Sequence, residues 1–260
     1  MKIILFICLF PLFVFGGGAI NFDGVDDYVV VGNTFNMGLD DQTQSAWIKT
    51  TATQLAGIAG KGYLTSNASG MGIFLRETGH FDVNLRLSGG ISIAVGITPE
   101  TIVNDGKWHF VVGVADRGSA TGLKLYIDGE LKATADITSL SSDTLTSSHY
   151  FAVGSVDLLP GHTSYGRFFD GEMGIVQVWG RVLSLEEIKA IYVSKNAWYP
   201  KNGLVSRWSM EKNGVSTGQS HANGSTIKDS VGSNNGTIVD GSDNSMTLES
   251  SPTRKKRGRR

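Results

Sequence analysis

Cysteine is almost absent from this sequence: of 260 residues only Cys8 is a cysteine, and it lies in an apolar stretch at the start of the chain. Disulfides therefore cannot cross-link the body of the chain, which must be held by a hydrophobic core or by a bound metal. Proline is scarce, with 5 residues, whereas glycine is abundant, with 34. Because the glycines follow no Gly-x-y period, a collagen-like chain is excluded, and short strands joined by tight turns are favoured.

The sequence also has few signs of catalytic chemistry. It contains no His-Glu-x-x-His motif and no phosphate-binding glycine loop. Ser220 and His221 are adjacent, but no acidic residue accompanies them in the same stretch, so a solvated turn is the simpler interpretation. The chain is therefore predicted not to be an enzyme.

Residues 1–19 are predicted to be a cleaved secretory signal. Lys2 supplies a positive charge, Ile3 to Phe15 form an apolar run, and Gly16 to Ala19 are the small residues that a signal peptidase requires. The apolar run is short for a bilayer span. The mature protein is therefore expected to be secreted, with no membrane contact after cleavage.

Positive charge is concentrated at the other end of the chain. The last seven residues, here called the tail, contain six basic side chains: Arg254, Lys255, Lys256, Arg257, Arg259 and Arg260. Without these six residues and Lys2, the chain has 16 basic residues against 24 acidic ones, so its body is acidic. Two interpretations stay open: residues 251–260 are a disordered, solvated end, or they contact nucleic acid or another polyanion.

Alternating apolar and polar residues predict an all-β fold. Phe81–Leu87 alternates over its whole length, and Asp128-Gly129 separates two further strands as a hairpin turn. The side chains predicted to point inward from another strand are Trp108, Phe110, Val112 and Val114, with His109 on the outer face. Further predicted strands are Tyr28–Val31, Ser45–Thr50, Gly72–Arg76, Tyr150–Val153 and Ile175–Trp179. Short strands at this spacing predict an antiparallel β-sandwich of two sheets.

One short helix is predicted near residues 184–193. Ser184 and Glu187 have the spacing of a capping box, in which each side chain bonds the other residue's backbone amide. Leu183 and Ile188 can form the accompanying hydrophobic staple, and Ile188 shares with Tyr192 a face that can dock on a sheet.

Three sequence blocks follow one another along the chain: Phe22–Val29, then Asp105–Phe110 leading to Leu125–Gly129, and then Phe169–Met173 continuing to Tyr192. Together they resemble a known family, the laminin-G-like jelly rolls of the concanavalin A-like lectin/glucanase superfamily, to which pentraxins are related. The resemblance covers roughly residues 20–195. It implies two curved antiparallel sheets, frequent calcium binding, and carbohydrate or protein ligands. It does not imply catalysis, because the Glu-x-Asp-x-x-Glu strand of the superfamily's glucanases is missing.

The C-terminal segment is expected to complete the domain of residues 20–200. The apolar strand Leu204–Trp208 and the loop at 229–237 look like the segment that precedes the first block in most relatives. Either residues 201–250 supply the missing strand by circular permutation, or a second domain begins there and stops early. Permutation is favoured, because an orphaned strand would leave Trp208 exposed and a sheet edge open.

Calcium is the metal that the sequence favours. Calcium prefers several hard oxygen ligands on flexible loops, and the candidate ligands are Asp23, Asp26, Asp27, Asp170 and Glu172. Acidic residues are also common in turns that bind no metal. Many relatives have an Asp-Glu pair where this chain has Gly174-Ile175, so one expected ligand is absent.

The ligand is predicted to be a glycan or a protein of a cell or particle surface. Sugar sites combine aromatic faces with polar groups, and the candidates here are Tyr63, His162, Tyr165, Trp198 and Tyr199. Two functions remain: a secreted carbohydrate-binding or adhesion domain, and a structural component of a particle, for example a viral one, whose basic tail contacts a polyanion.

Overall fold

The computed structural model describes residues 18–61, 69–87, 92–96, 101–156, 166–210, 222–240 and 247–249. The described residues form two antiparallel sheets, one α-helix and one turn of 3₁₀ helix at Thr138–Leu140. The predicted β-sandwich with one short α-helix is thereby confirmed. In chain order the elements are β1 (Ala19–Asp23), β2 (Tyr28–Gly32), β3 (Gln42–Lys49), β4 (Ala56–Gly60), β5 (Gly70–Leu75), β6 (Phe81–Arg86), β7 (Ser92–Gly96), β8 (Trp108–Ala115), β9 (Leu123–Ile127), β10 (Glu130–Ala135), β11 (Phe151–Val153), β12 (Asp170–Trp179), α1 (Leu185–Ser194), β13 (Leu204–Trp208), β14 (Thr226–Ile227), β15 (Gly236–Val239) and β16 (Thr247–Glu249).

Each sheet combines strands that are distant in the chain. The first sheet follows the order β10-β9-β8-β3-β12-β1-β16, with β13 also paired to β12. The second sheet follows the order β14-β15-β2-β11-β4-β5-β6-β7. No helix within the described ranges is both long and apolar enough to cross a membrane.

Two clusters of buried side chains lie on the two faces of the first sheet. The larger cluster fills the space between the sheets and includes Phe22, Phe81 and Phe151, which are fully buried. The second cluster lies on the outer face, where α1 covers Trp47 and Trp179. Burying a large apolar side chain stabilises the fold by about 1.5–3 kcal/mol, so both clusters contribute to a fold without disulfides.

Strand β8 shows a difference between the predicted and the observed faces. The outer cluster beneath α1 contains or contacts Trp108, Phe110, Val112 and Val114. Val111 lies in the core between the sheets instead. The prediction that Trp108, Phe110, Val112 and Val114 point into the core between the sheets is therefore wrong. The prediction that His109 lies on the outer face is wrong for the same reason, because His109 shares the face of Val111. Alternation could not identify the correct face because β8 is buried on both sides.

The local motifs form as predicted. Ser184 Oγ accepts a hydrogen bond from Glu187 N at 3.2 Å, and Ser184 N donates to Glu187 Oε2 at 2.9 Å. Asp128 and Gly129 both have positive φ, at 52° and 82°, which is the backbone geometry of a tight hairpin turn between β9 and β10.

The C-terminal segment contributes strands to both sheets. Strand β13 pairs with β12, where Trp208 lies opposite Val176, and β15 pairs with β2 in the second sheet. The Trp208 side chain is fully buried, and its ring lies 5.8 Å from each of the rings of Phe35 and Phe151. The circular permutation that would account for this arrangement stays a hypothesis.

Candidate functional site

The turn that joins β1 to β2 brings three carboxylates together. Asp23, Asp26 and Asp27, here called the acidic cluster, each place a carboxylate oxygen within 4.8 Å of the other two. Asp23 Oδ1 accepts hydrogen bonds from Val25 N at 2.8 Å and from Asp26 N at 3.4 Å. Gly24 has φ +78°, and a Cβ atom there would lie 2.6 Å from Asp170 Cβ. Only glycine therefore fits this turn without displacing a neighbouring residue.

The pairing of β1 with β12 adds a fourth carboxylate beside the cluster. Asp23 lies directly opposite Asp170 in the strand register. Burial raises the pKa of the Asp170 carboxyl, and the charge of Asp23 raises it further. Burial likewise raises the pKa of Tyr28, with a second contribution from the charge of Asp26. Within the described ranges, none of Asp23, Asp26 and Asp170 forms an ion pair with a basic side chain.

These residues fit a calcium ion by the chemistry of their donors. Calcium takes about six to eight oxygen ligands, mainly from carboxylates, carbonyls and water. Asp26 Oδ1 is enclosed by the protein and has no hydrogen-bond partner in the described part of the chain. A buried acceptor without a donor is costly, and a cation would satisfy it. Glu172, the fifth predicted ligand, instead pairs its carboxylate with Lys49 Nζ at 2.5 Å.

A polar groove adjoins the acidic cluster on the outer face of the first sheet, at the end that carries Asp170. Its volume is about 210 Å³. We call it the outer groove, and it is lined by Asn21, Lys49, Thr50, Thr51, Gly106, Asp170, Gly171 and Glu172. Three of these residues form a row across adjacent strands, because Lys49 lies opposite Glu172 and Glu172 lies opposite Asn21. Residues opposite each other on paired strands point to the same face, so the row presents an ammonium, a carboxylate and an amide side by side.

His109 fastens the loop that closes one side of the outer groove. Its Nε2 lies 3.0 Å from Asp105 Oδ1, and its Nδ1 lies 2.8 Å from Asp128 Oδ2. Burial lowers the pKa of His109, but hydrogen bonds and charge from Asp128 and Asp105 outweigh burial, and the pKa is raised above 6.5. In the same loop, Gly106 N donates to Thr50 O at 3.0 Å, which ties the loop to the groove.

Of the five predicted sugar-binding residues, only Trp198 and Tyr199 lie in the described ranges, and neither lines the outer groove. Tyr63, His162 and Tyr165 lie outside the described residues. Trp198 is 50% exposed just after α1. The ring of Tyr199 is covered by Lys201 Nζ at 3.5 Å and by the Arg207 guanidinium at 4.9 Å.

Tyr199 lies far from the outer groove, because its neighbour Arg207 is at the opposite end of the sandwich. Arg207 pairs with Gln177, and Gln177 is seven residues along β12 from the groove residue Asp170, or about 24 Å at ~3.4 Å per residue.

Both ends of the chain, residues 1–17 and 250–260, and several internal segments lie outside the described residues. Most of the predicted signal and the whole basic tail at 254–260 are among them, so their predicted roles stay predictions. Gly214 to Gly218 has the Gly-x-Ser-x-Gly spacing that also occurs in some hydrolases, and it lies outside the described residues as well.

Sequence reasoning missed Asn21, Lys49 and Thr51 as groove residues. Asn21 stands between Ile20 and Phe22, so alternation alone would have placed its amide on the outer face beside Asp23. The contact between Lys49 and Glu172 spans 123 residues of sequence and depends on strand pairing, for which the sequence carries no local signal.

A family model supports the same conclusion as the fold. The model, a laminin G model described as the concanavalin A-like lectin/glucanases superfamily, matches residues 23–189, which is more than half of the chain. The chain belongs to this superfamily. The resemblance expected from the three sequence blocks is thereby confirmed. A comparison with curated proteins finds no match.

Solved structures with this superfamily fold are similar at low sequence identity. A putative carbohydrate binding protein from Bacteroides ovatus is 19% identical with a TM-score of 0.59, over 94% of this chain and 62% of that chain. The native heptameric SAP-like pentraxin from Limulus polyphemus is 16% identical with a TM-score of 0.51, over 72% and 83%. The CBM40 module of the Ruminococcus gnavus IT-sialidase is 19% identical with a TM-score of 0.50, over 67% and 97%. At these identities the likeness shows the fold of this superfamily member and nothing further.

Proposed function

We propose that this protein is a secreted, non-catalytic carbohydrate-binding domain that serves adhesion, and that it binds its glycan in the outer groove. Its superfamily membership supports this proposal, as does the fold that it shares with a carbohydrate-binding module and a putative carbohydrate binding protein. The observation that carries the proposal is the row of Lys49, Glu172 and Asn21 on an open strand face.

The row matches the hydrogen-bonding chemistry of a sugar. Sugar hydroxyls both donate and accept, so a carboxylate that accepts and an ammonium that donates can bind neighbouring hydroxyls of one ring. The amide of Asn21 can do both. Lys49 and Glu172 already hold each other at 2.5 Å, so their side chains are ordered before a ligand arrives. Ordering the site in advance lowers the entropic cost of binding.

Calcium at the acidic cluster is the second part of the proposal. The ion would be held by Asp23, Asp26 and Asp27, with Asp170 beside them, and it would offset the mutual repulsion of these closely spaced carboxylates. Bound there, it would supply a cation next to the outer groove, where it could accept oxygen ligands from a sugar.

A glycan array measured with and without a chelator tests the proposal. Glu172→Gln should weaken glycan binding up to about tenfold, because it replaces a charged acceptor by a neutral amide and breaks the ion pair with Lys49. Asn21→Ala should also weaken binding by up to about tenfold, because it removes a neutral hydrogen bond of about 0.5–1.5 kcal/mol. Glu130→Gln is the matched control, because Glu130 forms a comparable ion pair with Lys132 at 2.6 Å on the exposed strand β10. Equal binding by the Glu172 and Glu130 variants would contradict the assignment of the outer groove.

A further inference from the structure

A second groove lies at the far end of the sandwich from the acidic cluster. Its volume is about 370 Å³. We call it the edge groove. The loop from β2 to β3 forms one wall, and the end of β12 and the C-terminal segment form the other. Its principal lining residues are Phe35, Asp40, Asp41, Val178, Val205 and Asn234. Val178 is eight residues from Asp170 along β12, so the groove is roughly 27 Å from the acidic cluster at ~3.4 Å per residue.

The walls of the edge groove are held in place from behind. Phe35 has φ +55°, a left-handed conformation that is unusual for an aromatic residue, and its ring contacts Phe151 with centroids 4.6 Å apart. The indole Nε1 of Trp208 donates to Asn234 O at 2.7 Å, which fixes the opposite wall. Residues held in uncommon conformations by their surroundings are frequent at binding sites. The groove is therefore formed before any ligand binds.

A buried lysine orders the loop wall further. Lys61 is 1% exposed, and its Nζ donates to Asn33 Oδ1 at 2.6 Å, Thr34 O at 3.1 Å and Asn36 Oδ1 at 2.7 Å. All three donors of the ammonium are thus used by the loop that carries Phe35 and Asp40.

The charges around the edge groove nearly balance. Asp40 and Asp41 contribute two carboxylates. The Lys61 ammonium lies behind the same loop, and Arg117, 3% exposed, donates its backbone N to Asp41 Oδ1 at 2.7 Å and its guanidinium to Gly38 O at 3.3 Å. Asp143 is a third carboxylate whose charge acts on Arg117, so two buried positive charges face three carboxylates. This small excess of negative charge disfavours an anionic ligand.

The lining of the groove then selects a hydroxyl-rich neutral ligand. Carboxylates accept hydrogen bonds from hydroxyl groups, and the amide of Asn234 can donate as well as accept. Phe35 and Val205 offer an apolar surface to the C–H face of a ring. We propose that the edge groove is a second glycan site, selective for neutral sugars and independent of calcium. The proposal deepens, and in that respect rests on, the proposed carbohydrate-binding function.

Isothermal titration with the neutral disaccharides lactose, maltose and cellobiose, in excess chelator, tests this site on the full chain. The wild-type protein should bind at least one of them. Asp40→Asn and Val205→Trp should weaken that binding about tenfold or more, the first by removing a charged acceptor and the second by filling the groove. Val205 is 40% exposed, and Val231→Trp is its matched control because Val231 is 45% exposed and does not line the groove. Melting curves confirm that each variant is folded.

The outcomes separate this site from the outer groove. The assignment of the edge groove as a glycan site would be refuted by either of two results. One is that none of the three sugars binds in chelator, and the other is that binding in chelator survives Val205→Trp. Loss of array binding in Glu172→Gln with chelator-resistant binding intact would support two separate sites. A third result is that binding in chelator depends on Val205 while Glu172→Gln changes the binding of no glycan. This result would refute the outer groove as a glycan site and support the edge groove as one.

Discussion

Trp208 is the largest side chain that the described C-terminal segment contributes to the core between the sheets. It is fully buried, packs against the rings of Phe35 and Phe151, and donates its indole N–H to Asn234 O at 2.7 Å. Replacing it with alanine would leave a cavity between the sheets and an unpaired carbonyl at Asn234. Trp→Ala at core sites costs about 3–5 kcal/mol, and the aromatic contacts place Trp208→Ala toward the upper part of that range.

Such a loss is a large share of the roughly 5–15 kcal/mol by which a typical domain is stable. We expect the urea midpoint of Trp208→Ala, followed by circular dichroism, to fall sharply while the transition stays cooperative. Trp208→Phe keeps a ring but leaves the Asn234 carbonyl without its donor, so it should lose about 1–3 kcal/mol.

Trp198→Ala is the matched control, because it removes the same side chain from a site that is 50% exposed. It should change stability by less than about 1 kcal/mol. If Trp208→Ala cost no more than Trp198→Ala, the C-terminal strand would not be part of the cooperative unit. The conclusion that residues after 200 stabilise the main sandwich would then be refuted.

Three further predictions concern calcium, pH and salt. A chelator should lower the melting temperature, since an ion bound only to the folded state stabilises it by mass action, and Asp26→Asn should mimic the chelator. The pKa of His109 is higher in the folded protein than the value of 6.5 expected for the unfolded chain. Protonated His109 therefore stabilises the fold below about pH 6.5, and this stabilisation is lost as the pH rises through the pKa of the folded state. Wild type should therefore lose stability relative to His109→Gln between pH 6 and 8. Binding of a short single-stranded DNA through residues 254–260 should fall with salt, with a logarithmic slope of up to about 4 for six phosphate contacts at ~0.7 each.

Each of these predictions has a result that would contradict it. An unchanged melting curve after confirmed metal removal would argue against structural calcium. Parallel stability curves for wild type and His109→Gln across that pH window would show that the contacts with Asp105 and Asp128 are energetically neutral. DNA binding that persists after deletion of residues 254–260 would exclude the tail as the contact.

The features predictable from the sequence are those decided by neighbouring residues. The capping box of Ser184 and Glu187 and the hairpin turn at Asp128-Gly129 form as expected, because each depends on hydrogen bonds and φ values within a few positions. The strand Leu204–Trp208 has the predicted bounds for a similar reason, since its residue types favour extended backbone locally. The acidic residues of the β1–β2 turn were also identifiable, because three of them lie within five positions of one another.

Tertiary structure alone decided which faces and which strands meet. The residues of β8 alternate regularly, but only the position of α1 determines that Phe110 faces the helix and Val111 faces the second sheet. The outer groove joins Asn21, Lys49 and Glu172, and the edge groove joins Asp40 to Asn234, across separations that no local pattern encodes. Pairing partners are chosen by the burial of whole sheet faces, which is a property of the assembled sandwich and not of any one strand. The composition and the local motifs thus determined a disulfide-free β-sandwich with an acidic turn, whereas the location of its two grooves depended on long-range strand pairing.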